Sequence, residues 1–259
     1  MEDSMNLTGN TIAITGGTSG IGLGMAERFL ALGNKVIICG RRSDRLVDLV
    51  RKHPGLATKV CDVADERHRL DFYRWLTANH PDTNVLVNNA GVQFAGTVGS
   101  GLDFTRVRQE METNAFAVIH LSDLLAPFIQ GKPGATIINV SSGLGFAPVA
   151  HMSVYCATKA FVHSLTMSMR HTLKAKGIEV IEVIPPGVDS ELGKERRADP
   201  DQTHGGMPVP EFIDGLFKGL ERKDAEIAVG MAVGLREKGE EMFEAMNNRP
   251  SEPAMPTKA

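Results

Sequence analysis

Six short runs rich in β-branched residues punctuate the chain: TIAIT from Thr11, KVIICG from Lys35, ATKVCD from Ala57, NVLVNN from Asn84, ATIINVSS from Ala135 and IEVIEVIPPG from Ile178. Each has the length of a strand. Several are apolar on both faces, as the central strands of a parallel sheet must be when helices cover both sides. The intervening segments carry helical spacing, as in Ile21, Met25, Phe29 and Leu32, or Leu46, Leu49 and Val50. This alternation predicts an α/β fold, a doubly wound parallel sheet of about seven strands with helices on both faces. AEIAVG, from Ala225, supplies the last strand. No charge run or Ser/Gly linker interrupts the pattern, so residues 1–246 are expected to form one domain.

The order breaks after PPGVDS. From Glu191 to about Val209 the chain is polar and rich in Gly and Pro, a loop long enough to suggest function. A helix entered through Pro210 follows, its apolar face made by Phe212, Ile213, Leu216, Phe217 and Leu220. The loop and this helix, about 190–222, are expected to cover a substrate. The segment 247–259 has the composition of a disordered tail.

Charge excludes some functions. The net charge of -3, from 28 basic and 31 acidic residues spread along 259 positions, offers no basic stripe for nucleic acid or an anionic membrane. Cys39, Cys61 and Cys156 are scattered without CxxC spacing, which argues against a disulfide framework and against a metal site. A reducing, cytoplasmic setting is expected. MEDSMNLTGN has no apolar signal region, and no run reaches the roughly 18 to 20 apolar residues that span a bilayer.

TGGTSGIG, Thr15 to Gly22, follows the first strand directly and opens a helix. Glycines there let the backbone approach a pyrophosphate, whose charge is met by the helix N-terminal N–H groups. A flexible surface turn is the competing reading. The spacing G-x-x-x-G-x-G, at Gly16, Gly20 and Gly22, differs from the G-x-G-x-x-G fingerprint and points to another lineage of dinucleotide binder. At the end of strand two, where an acid would hold a ribose 2′-OH, the chain reads CGRRSDR. Arg41 and Arg42 suit a 2′-phosphate, hence NADP(H) with NAD(H) second. Asp44 weighs against this, and a solvated start to helix two is the plainer alternative.

INVSSG ends a strand at Ser141 and Ser142, where open parallel sheets present ligand-facing residues. Downstream, Tyr155 and Lys159 stand at i and i+4 and project from one helix face. That spacing alone is a weak signal of chemistry.

TGGTSGIG, NNAG at Asn88 to Gly91, NVSSG, YCATK and PPG at Pro185 to Gly187, in this order, resemble the short-chain dehydrogenase/reductase family. The wording of VIICGRR, HPGL, CDVAD, VYCATKA and VIEVIPPGVDS is similar to its DltE-type branch. The resemblance implies a Rossmann-like strand order of 3-2-1-4-5-6-7. It implies Tyr155 as acid/base, Lys159 beside it, Ser142 on the substrate oxygen, and Asn114 as a fourth member anchoring a proton-relaying water. For the cofactor it implies Gly16, Thr18, Ser19, Gly20, Ile21, Arg41, Arg42, Asp62, Val63, Asn88, Ala90, Gly91, Tyr155, Lys159, Pro186, Gly187 and Val188. Ser190 stands where the family usually has threonine.

A phenol with a pKa near about 10 is a poor base at neutral pH, but an adjacent ammonium favours phenolate. The expectation is an NADP(H)-dependent oxidoreductase that interconverts a carbonyl and a secondary alcohol on a small or medium, fairly apolar substrate. Phe94, Phe146, Val149 and Met152 are expected to contribute to its pocket. An NAD-dependent alcohol dehydrogenase and a non-catalytic NADP(H) sensor are the rivals. Cys156 is read as a packing neighbour, and His151 and His163 as surface or packing residues, with the substrate pocket wall as the alternative for His151. The segment Ala115 to Ile129 is apolar around most of its circumference, which implies a second packing partner. Family members pair this helix with the one bearing Tyr155, so a homodimer or homotetramer is expected.

Overall fold

A computed structural model of the chain describes residues 5–193 and 205–248. The parts of the expected cover at 194–204 and of the expected tail at 249–259 lie outside the described residues. The strands are β1 (Thr11–Thr15), β2 (Lys35–Gly40), β3 (Leu56–Val60), β4 (Val85–Asn88), β5 (Thr136–Val140) and β6 (Glu179–Ile184). β7 (Val188–Asp189) and β8 (Met207–Pro208) pair with each other, and β9 (Glu226–Ala228) closes the main sheet. That sheet has seven strands in the order β3-β2-β1-β4-β5-β6-β9, all parallel. This is the expected Rossmann-like winding, with AEIAVG supplying the seventh strand of the sheet.

Strand parity explains why two helical layers form. In β1, Ile12 and Ile14 join one apolar cluster and Ala13 the other. The first cluster receives Met25 and Phe29 of α1 (Gly20–Ala31), Leu46 and Leu49 of α2 (Ser43–Lys52), and Phe212 and Leu216 of α7 (Val209–Glu221). The second receives Phe72 and Leu76 of α3 (Glu66–Asn79), Leu121 and Leu125 of α5 (Ala117–Ile129), and Met169 of α6 (Ser153–Lys174). Each fully buried Phe or Leu contributes roughly 1.5–3 kcal/mol of transfer free energy, so both faces of the sheet must be covered.

The helix entered through Pro210 is α7, and its five expected apolar residues are all buried. They pack into the first cluster, with the Phe217 ring 4.8 Å from that of Phe29. The apolar face of the helix expected to help cover a substrate is thus committed to the core. Val50 also departs from expectation and is exposed, leaving Leu46 and Leu49 to anchor α2. Asn247 ends α9 (Phe243–Asn247) and is held by Ala150 N and Pro148 O, so the expected tail begins at least one residue later. No helix among the described residues is long and apolar enough to cross a membrane.

Candidate active site

The strand order reverses direction between β1 and β4, and a cleft of about 560 Å³ opens there at the carboxyl ends of the strands. Its floor is the glycine turn. Gly16 and Gly17 N–H groups both donate to Cys39 O, fastening the turn to the end of β2. Gly16 has φ +67°, and a Cβ there would lie 2.8 Å from Ala90 Cα. A Cβ on Gly22 would lie 2.4 Å from Gly16 O. Only glycine permits this fold of the turn. α1 starts at Gly20, its N-cap Ser19 makes no side-chain cap bond, and its first turn has no acid. Its orphan N–H groups and positive dipole end therefore suit an anion in the cleft.

The other wall comes from α6 and the end of β5. Tyr155 and Lys159 are both buried, with Lys159 Nζ 5.7 Å from the Tyr155 ring centroid. Nζ donates to Val140 O at 2.9 Å, which ties α6 to the last residue of β5. Burial lowers the Lys159 pKa to about 8, against the opposing pull of the Glu110 and Glu182 charges. Ser142 follows β5, and its Oγ accepts from Leu144 N within a short 3-10 turn, Gly143–Gly145, so its O–H keeps its donor capacity. Gly145 lies against the α6 backbone, where a Cβ would meet Lys159 C at 2.9 Å.

Asn114 sits in a π turn, Glu112–Phe116, between α4 (Phe104–Met111) and α5. Such turns recur at functional sites. Its Oδ1 accepts from Val92 N, and its Nδ2 donates to Val92 O and to Thr158 Oγ1. Asn114 thus pins the loop after β4 to α6. A Cβ on Gly91 would lie 3.5 Å from Asn114 Oδ1 and 3.8 Å from Lys159 Nζ, so both groups border the same glycine.

A family model described as short chain dehydrogenase matches residues 10–201. The chain belongs to the short-chain dehydrogenase family. It is therefore an oxidoreductase. The chain is 42% identical over 250 residues to the uncharacterized oxidoreductase DltE of Bacillus subtilis, covering 95% of this chain and 99% of that one. A short-chain dehydrogenase from Sphingobium yanoikuyae, solved with NADPH, superposes with TM-score 0.78 at 25% identity, covering 96% of this chain and 100% of the other. A short-chain dehydrogenase/reductase from Burkholderia phymatum, solved with NAD, shares the fold with TM-score 0.79 at 21% identity, over 98% and 99% of the two chains.

Within this short-chain dehydrogenase cleft the expected residues separate into two groups. Ser142, Tyr155, Lys159, Gly16, Thr18, Ser19, Gly20, Ile21, Arg41, Arg42, Asp62, Val63, Ala90, Gly91, Pro186 and Val188 line it. Asn88, Gly187 and Asn114 do not. Asn88 shares the parity of Leu86 on β4, so its side chain faces the α5 layer and donates to Ser122 Oγ and Asn139 Oδ1. Its neighbour Asn89 lines the cleft instead and donates to Thr15 O and Gly16 O, bracing the glycine turn. Gly187 uses its carbonyl to accept from Met207 N in the β7–β8 pairing. Of the four expected apolar pocket residues only Phe94 lines the cleft. Val149 and Met152 pack with Tyr155 and Cys156, and Phe146 lies edge-on to His163 at 4.5 Å.

Two polar clusters were missed by sequence reasoning. Glu182, wholly buried on β6, accepts from Ser141 Oγ at 2.6 Å and meets His163 Nδ1 at 2.8 Å. Glu226 comes close enough for His163, Glu182 and Glu226 to offer ligand atoms within 4.8 Å of one another, but Arg170 and Arg236 already neutralise Glu226. A cation there would add charge to a balanced cluster. The second cluster joins Arg42 and Arg45 to Glu191. Nothing in CGRRSDR foretells a partner 149 residues away.

Proposed function

We propose that this oxidoreductase uses NADP(H) to interconvert a carbonyl and a secondary alcohol, with Tyr155 as the general acid/base. The observation that carries the reading is the burial of Tyr155 and Lys159 one helical turn apart, at a cleft whose other wall is a glycine cradle at a helix N-terminus. The donor set fits the dinucleotide. Gly16, Gly20 and Ile21 would receive the pyrophosphate, Asp62 and Val63 would border the adenine, Arg42 would meet a 2′-phosphate, and Pro186 and Val188 would border the nicotinamide. When bound, the nicotinamide supplies or accepts the hydride.

The chain's own residues handle the proton. In the reductive direction Tyr155 gives its phenolic proton to the carbonyl oxygen, while the Ser142 O–H donates a hydrogen bond to the same atom. Lys159, with its pKa at about 8, remains an ammonium at pH 7 and lowers the cost of the phenolate left behind. Asn114 would act as a positioning residue, holding Val92 and Thr158 on either side of this pair. The substrate is proposed to be small or medium and fairly apolar, on the strength of Phe94, Val188 and Leu192 in the cleft wall. Residues up to 246 would act as one catalytic domain. Exposed Phe116 just before α5, exposed Ile119 on α5 and exposed Phe161 on α6 support assembly into a homodimer or homotetramer through these helices.

The test is a panel of carbonyls and alcohols with NADPH and NADH, followed by nicotinamide absorbance. Turnover with NADPH is expected. Silence across the panel together with tight NADPH binding would favour a sensor without turnover, and faster turnover with NADH would favour an NAD-dependent enzyme.

A further inference from the structure

Arg42, at the N-cap of α2, and Arg45, in its first turn, converge on one carboxylate. Arg42 Nη1 donates to Glu191 Oε2 and Arg45 Nη1 to Glu191 Oε1, each at 2.6 Å. The second amino group of Arg42, Nη2, donates to Thr18 Oγ1 and Ser19 Oγ, both at 2.9 Å. An oxyanion therefore sits with each oxygen on its own guanidinium, beside the hydroxyls of the glycine turn. That donor set suits a phosphate monoester equally well. The Arg42 and Arg45 side chains retain 39% and 41% of their exposure, so a ligand can reach them. Burial raises the Glu191 pKa, but hydrogen bonds from Arg42, Arg45 and Ser19 outweigh it and bring the value to about 2, which keeps the group anionic at neutral pH.

We propose that Glu191 occupies the position the 2′-phosphate of NADP(H) takes, and that the phosphate must displace it. A carboxylate and a phosphate carrying about -1.5 to -2 charges repel one another and cannot share the same two guanidiniums. Glu191 is then a specificity-determining residue. It lowers affinity for the phosphorylated cofactor and leaves the unphosphorylated one alone, narrowing the discrimination that Arg42 and Arg45 would otherwise give. Arg45, absent from the sequence-based site, becomes a phosphate ligand. Ser190 and Leu192 line the cleft on either side of Glu191, so its release also shifts part of the cleft wall.

The proposal rests on the NADP(H) reading, and one set of titrations separates the two. The full chain and its Glu191→Gln and Glu191→Ala variants are titrated with NADPH, NADH, adenosine 2′,5′-bisphosphate and adenosine 5′-monophosphate, with circular dichroism to verify folding. Both variants are expected to bind NADPH and the bisphosphate about tenfold more tightly, as loss of two competing, partly exposed ion pairs implies. NADH and the monophosphate should change less than about twofold, since neither competes for those pairs. If the wild type prefers NADPH but neither variant binds it more tightly, or both gain equally for NADH, the displacement is wrong and the cofactor reading stands. A wild type and variants that all bind NADH at least as tightly as NADPH, and the monophosphate as tightly as the bisphosphate, overturn both.

Discussion

Lys159 should destabilise the fold that positions it. Its amine is buried and its pKa is lowered from 10.5 to about 8, first by burial, so the folded protein binds this proton less tightly than the unfolded chain does. At about 1.36 kcal/mol per pH unit the difference is a penalty of about 3 kcal/mol wherever the lysine is charged in both states, below about pH 8. Between about pH 8 and 10.5 the unfolded chain holds the proton and the folded one does not, so stability rises with pH. Lys159→Met removes this contribution and also removes the hydrogen bond to Val140 O, a pH-independent loss of about 1 kcal/mol. The variant should be more stable than the wild type by about 2 kcal/mol at pH 7, and its advantage should shrink by about 2.5 kcal/mol by pH 10. Urea unfolding of both cofactor-free proteins, at one protein concentration, measures the difference and cancels the titrating groups that Lys159 does not act on. A difference that stays constant from pH 7 to 10, or that grows in favour of the variant, would refute the reasoning.

Glu182 has no exposed surface and depends on Ser141 and His163, so His163→Ala should cost about 3 kcal/mol. That lowers the thermal midpoint by roughly 10 °C at this chain length; a loss below about 1 kcal/mol would reduce the pair to a surface contact. Sedimentation of the wild type at micromolar concentration should give a dimer or tetramer, and Phe116→Lys should shift it toward monomer. A wild type that is monomeric throughout removes the helix-pairing interface.

The fold was legible because strand burial leaves a local signature. TIAIT and KVIICG are apolar at every parity, and the observed β1 and β2 begin and end with them. The glycine turn and the Tyr155–Lys159 pair were legible for a similar reason, since a close backbone approach demands glycine and an i, i+4 pair must share a helix face. Features set by long-range geometry were not. Asn88 and Asn89 look alike in NNAG, and only the parity of β4 sends the first into the α5 layer and the second into the cleft. The apolar face of α7 announces burial without saying whether against core or substrate, and the core took it. The π turn at Asn114 leaves no periodic pattern in the sequence, and the Glu191 and His163 clusters join residues from distant strands and loops.

The central claim is that Tyr155 transfers the proton through its hydroxyl, within the cleft proposed to hold the cofactor. Tyr155→Phe keeps the buried ring and deletes only the hydroxyl. With a substrate found in the carbonyl and alcohol panel, kcat with NADPH should fall by about 10²–10⁴ or more, with the Kd for NADPH nearly unchanged. A Tyr155→Phe variant that turns over within a few-fold of wild type, while binding NADPH equally well, would contradict it.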